Sequence, residues 1–261
     1  MPSRLESPAD VRAAARAGEW HGSTRDAAPG YVQCNVVILP EDWAREFDAW
    51  SAANPNVAPI LARSEPGDPS LPSLGGDIDI RTDLPRYRVF NDGVPGEVED
   101  ITRLWNDELV TFAFGCSFTL EEALRRAGIS LAYEQRGFGG AIYTTARETV
   151  ATERFGGPLI VSMRPLSPDD AVAAREVSAR HPQLHGAPVH SGDPATIGVD
   201  LDEPLDAIGE VTIAPGEVPV FWACGVTPQL ALERARPPLA ITHLSAHMLV
   251  TDVRLEDLSR L

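Results

Sequence analysis

The residues of this sequence whose types and spacing could do chemistry are histidines, cysteines and arginines. His185 and His190 share the loop His185-Gly-Ala-Pro-Val-His190-Ser-Gly192. Histidine titrates near neutral pH, and Gly/Pro turns fix the direction of its ring, so the pair reads as a catalytic acid and base. Two alternatives stand beside that reading. Either ring could bind a divalent metal with a distant acid such as Asp193 or Asp252, although the i, i+5 spacing is not that of two ligands on one helix face. Either could also simply hydrogen-bond the backbone of its turn. His243 closes the apolar run LAIT, where a strand meets a loop, and is a third histidine for the same pocket. Cys116 and Cys224 sit at the mouths of expected helices, a position that lowers a thiol's pKa and makes it a candidate catalytic group. Cys34, within QCNVVIL, reads as a core hydrophobe.

Arginine binds a carboxylate through two parallel hydrogen bonds. Arg81, Asp83 and Arg86 form a charged knot beside a strand, either a substrate site or an internal salt-bridge network. Arg164 follows the strand PLIVSM and could clamp a second carboxylate. Tyr143, in AIYTT, could donate from its phenol.

These groups are organised by an internal duplication. FGCSFTLEEALRRA (114–127) and WACGVTPQLALERA (222–235) align at a constant offset of 108, which matches Cys116 with Cys224 and Thr119 with Thr227. Each copy follows an apolar run, LVTFAF or VPVFWA, and so reads as a buried strand, a tight Cys-bearing loop and a helix. Thr119 with Glu122 has the spacing of a capping box. Thr227 followed by Pro228 reads as an N-cap with proline at N1. A helix start offers unpaired N–H groups and a positive dipole end. Two such starts side by side would suit an anion with two acidic groups, which places Ser117, Gly225 and Thr227 among the substrate-binding residues.

Composition narrows the chemistry. The net charge is −16, with 38 acids against 22 bases, which argues against a nucleic-acid partner. All the bases are arginine, so a lysine Schiff base and a P-loop are excluded. No GxGxxG follows a strand and no CxxC pair occurs, so neither a nucleotide cofactor nor a zinc ribbon is expected. No cofactor is expected at all, a divalent metal being the one alternative. No apolar run reaches the roughly 18–20 residues of a membrane span, and the first 20 residues lack the apolar stretch of a secretory signal. The expectation is a cytoplasmic bacterial protein whose partner is a small acidic metabolite, with a homodimer as a compatible assembly.

The pattern predicts helices near 8–17, 41–52 and 168–180. It predicts strands near 32–39, 87–90, 129–134, 141–145, 158–163, 196–200, 209–214, 239–243 and 247–253, with a long Pro/Gly loop over 54–76. The fold class read from this is α/β, in two α/β lobes with mixed sheets. The larger lobe takes 1–127 plus 216–261, and the smaller takes 128–215.

GYVQCNVVILP, DIRTDLPRYRVF, FGCSF, VSMRP, HGAPVHSGDP, FWACGVTPQ and ITH…MLVTD occur in order over about residues 30–253. Together they resemble the D-glutamate cyclase-like family of hydro-lyases. The resemblance implies a two-domain α/β fold and a lyase that eliminates water. For mitochondrial relatives it implies closure of D-glutamate to 5-oxo-D-proline. Cys34 departs from an expected alanine, and Leu244-Ser245-Ala246 replaces a Pro-Gly-containing turn. Within that reading, Arg81 or Arg164 and the helix starts hold carboxylates. His185 or His190 takes a proton, and the second histidine or a cysteine returns one. A non-catalytic small-anion binder and a metal-dependent enzyme using the loop histidines are the competing readings.

Overall fold

A computed structural model describes residues 5–261 of the protein. Helix α1 (Pro8–Arg16) precedes strand β1 (Tyr31–Pro40), helix α2 (Glu41–Ala53) and strand β2 (Ile60–Arg63). The hairpin β3 (Tyr87–Asn91) and β4 (Val94–Val98) follows, then β5 (Leu109–Gly115) and α3 (Ser117–Arg126). Next come β6 (Gly140–Glu148), β7 (Pro158–Leu166), α4 (Pro168–Ala179) and the short strands β8 (His190–Ser191) and β9 (Asp206–Ile208). The last elements are β10 (Val218–Ala223), α5 (Val226–Ala235), β11 (Leu239–His243) and β12 (Leu249–Arg254).

The strands form two sheets. One has seven strands in the order β2-β5-β1-β11-β3-β4, with β12 also paired to β1; the other has five, in the order β8-β10-β7-β6-β9. Every pairing among the described residues is antiparallel, where the sequence suggests mixed sheets. Short connections such as the β3–β4 turn permit only antiparallel neighbours. In that turn Asp92 and Gly93 take φ of 49° and 80°, the left-handed conformation a two-residue hairpin loop requires.

Local sequence explains most boundaries. Strand β1 reads as an almost continuous apolar run because it lies between neighbours and is buried from Val32 to Leu39. The Ser167 hydroxyl accepts from the Asp170 amide at 3.1 Å and Pro168 opens the helix, so α4 starts where its cap dictates. One hydrophobic core runs between the two sheets and joins Val32, Cys34 and Ile38 to Met163, Trp222 and Leu249. A second core packs Phe47 and Trp50 of α2, with Phe155, onto Phe112 of the first sheet. No helix among the described residues is long and apolar enough to cross a membrane.

Three further expectations need correction. Strand β10 pairs with β7 and β8, so the strand of the second duplicated unit stands in the second sheet, while Ala231 and Leu232 of α5 pack with Val37, Phe90 and Ala240 of the first. Only β11 and β12 pair in the first, and the sheet boundary falls after β10 rather than at 216. The reason is the duplication itself, since each copy's strand pairs with its own long central strand. The segments near 129–134 and 196–200 hold 3₁₀ turns at Ala132–Arg136 and Pro194–Ile197, because Gly137 and Gly198 end each run in the left-handed conformation.

The third correction concerns the helix caps. Cys116 is the N-cap of α3, its Sγ accepting from the Phe118 amide at 3.4 Å, and Gly225 precedes α5. Thr119 and Thr227 lie inside the helices and do a different, matched job. The Thr119 hydroxyl accepts from the Gln33 amide at 2.9 Å and donates to the Gln33 carbonyl at 3.4 Å. The Thr227 hydroxyl accepts from the Ile160 amide at 3.1 Å and donates to the Ile160 carbonyl at 3.2 Å. Each threonine thus ties its helix to one peptide of the central strand, β1 or β7. The strand pairs share their register as well, Cys34 facing Gly115 and Val161 facing Ala223.

Candidate active site

The two matched loops open onto one cleft. It is a small, partly open cleft with a cavity volume of about 70 Å³. Its lining includes Ser117 and Phe118 at the start of α3, Cys224, Gly225 and Val226 at the start of α5, Asn35 of β1, and Ser162 and Arg164 of β7. Asp206, His243 and Ser245 complete its polar wall. The opening amides of both helices therefore border the same space, a setting that favours an anion.

Arg164 is the one arginine lining the cleft among the described residues. It is 2% exposed, and Glu121 behind it is 1% exposed. Arg164 Nε donates to Glu121 Oε1 at 2.8 Å, and Nη2 reaches the same oxygen at 2.7 Å. Its Nη1 is buried and has no partner. Burial opposes the charge on Arg164, but the adjacent Glu121 carboxylate outweighs that and holds the guanidinium protonated above its ordinary range. The other oxygen of Glu121 takes Arg25 Nη2 at 2.5 Å. A buried cation beside a cleft thus keeps one N–H group without a protein partner, the geometry by which a guanidinium takes a carboxylate.

The far wall differs. His243 Nδ1 lies 3.1 Å from the Val36 amide nitrogen and 3.3 Å from the Val36 carbonyl oxygen, and its Nε2 lies 3.4 Å from the side-chain nitrogen of Gln229. Burial pulls the His243 pKa down to about 4, so the ring is uncharged at neutral pH. The thiols are uncharged too. Burial pushes Cys116 up to about 12 and also raises Cys224, against a hydrogen bond from Ser162. The expectation of activated thiolates is overturned because desolvation of these loops exceeds the pull of the helix starts. Cys116 is fully buried and caps its helix, whereas Cys224 lines the cleft.

Of the residues expected at the site, Ser117, Arg164, Cys224, Gly225 and His243 come together here. Thr227 lies just behind, bound to β7. The others stand elsewhere, for identifiable reasons. His185 is fully buried and left-handed at φ 74°, and its Nδ1–H donates to the Asn56 carbonyl at 2.9 Å. His190 Nε2–H donates to the Asp193 carbonyl at 2.7 Å, and its ring leans on Phe221 with centroids 5.9 Å apart. Both histidines thus hold backbone. Arg81 pairs with Asp79 at 2.7 Å, Arg86 approaches Glu99 at 3.5 Å, and buried Asp83 takes Arg16 at 2.5 Å. These side chains form surface pairs and an anchor for α1. The Tyr143 hydroxyl donates to the Leu201 carbonyl at 3.2 Å. Among the described residues, no three of His, Cys, Asp and Glu gather to hold a metal, and Asp252 is engaged by Arg12 at 2.8 Å.

Sequence reasoning misses Asn35, Ser162, Asp206, Glu121 and Gln229. A usable signal exists for the last two, because the offset of 108 aligns Glu121 with Gln229, a polar residue in the first turns of both copies. Asn35 and Ser162 are equivalent by strand register, but share no residue type from which the duplication of their strands could be read.

Comparison with known proteins fits this picture. A protein of Afipia carboxidovorans is 49% identical over 254 residues, covering 97% of this chain and 94% of its own. One of Verminephrobacter eiseniae is 51% identical, covering 95% and 91%, and one of Bordetella petrii is 52% identical, covering 93% and 92%. All three bear the name "Putative hydro-lyase". The class of protein is thus a lyase on a two-sheet α/β scaffold. The family description D-glutamate cyclase matches residues 110–252, which span both duplicated loops, Arg164 and His243. The chain belongs to that family.

Proposed function

We infer that the cleft is the active site of a hydro-lyase acting on a small diacid, and that closure of D-glutamate to 5-oxo-D-proline is the reaction it suits best. The observation that carries this reading is the buried, unpartnered Nη1 of Arg164 in a cleft bordered by two helix starts. A substrate with two acidic groups uses both features. The carboxylate that survives the reaction binds Arg164. The carboxyl that reacts lies toward Ser117 and Gly225, where backbone N–H groups stabilise the oxyanion formed when the amine adds.

The protons balance within the substrate. The ammonium gives up two protons, the nitrogen bonds to the carboxyl carbon, and one carboxyl oxygen leaves with both protons as water. Asp206 is the only carboxylate lining the cleft among the described residues. It accepts the two ammonium protons in turn and passes each to the departing oxygen. Cys224 and His243 stay neutral and keep that end of the cleft free of fixed positive charge. The loop histidines take no part.

The test is incubation of the purified protein with D-glutamate and other small amino and hydroxy diacids, followed by mass spectrometry for loss of one water. Arg164→Lys keeps the charge but loses the planar fork, so kcat/KM should fall about 10²-fold. Asp206→Asn should lower kcat by roughly 10²-fold or more, the share of a general base. Wild-type turnover in both variants would overturn the assignment. Ligand-dependent stabilisation without any product would favour an anion-binding protein instead.

A further inference from the structure

The duplication places one polar side chain at the same point of each helix, and each reaches across to the other sheet. Glu121 of α3, which follows a strand of the first sheet, holds Arg164 on β7 of the second. Gln229 of α5, which follows a strand of the second sheet, lies against His243 on β11 of the first. Both are buried, at 1% and 5% exposure. The two copies have therefore diverged at equivalent positions, one with a carboxylate and one with a neutral carboxamide, and their partners differ in charge accordingly.

We propose that Glu121 and Gln229 are a matched pair of positioning residues that give the cleft one charged end and one uncharged end, and so fix which way round a diacid binds. This rests on the reading of the cleft as the active site. Glu121 occupies two nitrogens of Arg164 and leaves the third, Nη1, for the substrate. The permanent carboxylate goes there. Gln229 carries no charge, so it does not stabilise an imidazolium at His243. The other titratable groups that face His243 are Arg88 of β3 and His247 in the turn after β11, and both oppose its protonation. The reacting carboxyl and amine thus meet at an end where neutral forms are favoured, which the condensation requires. A glutamate at 229 would turn His243 into an imidazolium that pins the reacting carboxylate in its ionised form.

The test uses the full chain with glutarate as a non-reacting probe and D-glutamate as substrate. Glu121→Gln should weaken glutarate binding and raise KM by about tenfold, the loss of an aligned charge-assisted hydrogen bond, with kcat little changed. Should that variant not fold, Glu121→Asp carries the same expectation. Gln229→Glu should leave glutarate binding unchanged or tighter and lower kcat by about tenfold. In ¹⁵N-histidine spectra His243 should be neutral in the wild type and protonated in Gln229→Glu at about pH 7. The proposal is overturned if Gln229→Glu leaves His243 neutral, or if the two variants shift the same kinetic parameter in the same direction. The glutarate and ¹⁵N readouts do not depend on turnover. Failure of the hydro-lyase reading, seen as full activity in Arg164→Lys and Asp206→Asn, is therefore a separate result.

Discussion

At the residue scale the cleft depends on close approaches that only small side chains allow. A Cβ added at Gly225 would overlap the Asn35 carboxamide, which donates to the Gly115 carbonyl. Gly225→Ala must push that carboxamide away and distort the start of α5. Stability should drop by roughly 1–3 kcal/mol, and turnover should fall with it. Gly76→Ala is the control, because nothing lies within 4 Å of the added carbon. Thermal melts and rates of the two variants check this, and equal behaviour would contradict it. Sequence alone shows Gly225 as a loop glycine at a helix mouth, but not the asparagine it faces. The loop histidines mislead for the same reason: His185 and His190 have the right chemistry, yet their hydrogen bonds to Asn56 and Asp193 carbonyls make them parts of turns. Pairwise contacts between distant segments leave no local periodicity to read.

At the element scale, each duplicated helix is fixed by a threonine that bridges one peptide of a central strand. Thr119→Val and Thr227→Val keep the shape but leave the buried Gln33 or Ile160 amide without its acceptor. Each should cost roughly 1–3 kcal/mol, seen as a lower denaturant midpoint. If the threonines were only surface caps, valine would cost little and the midpoint would not move. The strand–loop–helix units, α1, α2 and α4 are legible from apolar runs and caps, because those signals are local. β10 is assigned to the wrong sheet by sequence, because pairing partners are chosen by tertiary contacts that a single strand's pattern does not encode. The expected threonine caps fail similarly. A threonine near a helix start has two possible acceptors and donors, and the strand peptide wins over the helix's own first turn.

At the scale of the whole molecule, burial of two histidines links folding to pH. Burial lowers both His185 and His243 to about 4 from the ordinary value of 6.5. The unfolded chain binds protons at these sites that the folded chain refuses. Stability is therefore full above about pH 6.5 and falls as the pH drops toward 4, by about 1.4 kcal/mol per pH unit for each histidine. Urea midpoints across that range check the slope, which His185→Gln should reduce; a slope of opposite sign would contradict the account. The acidic excess of the chain is legible from composition. What composition does not reveal is that a net charge of −16 coexists with a cleft whose one buried, unpartnered side-chain donor among the described residues is cationic.

The central claim is that the two duplicated helix starts and Arg164 form a single receptor for a diacid. A crystal structure of the protein with glutarate tests it most directly. The account predicts one carboxylate on Arg164 Nη1 and the other toward the opening turns at Ser117 and Gly225. Glutarate bound outside this cleft, or seated in it with Arg164 Nη1 untouched, would contradict it.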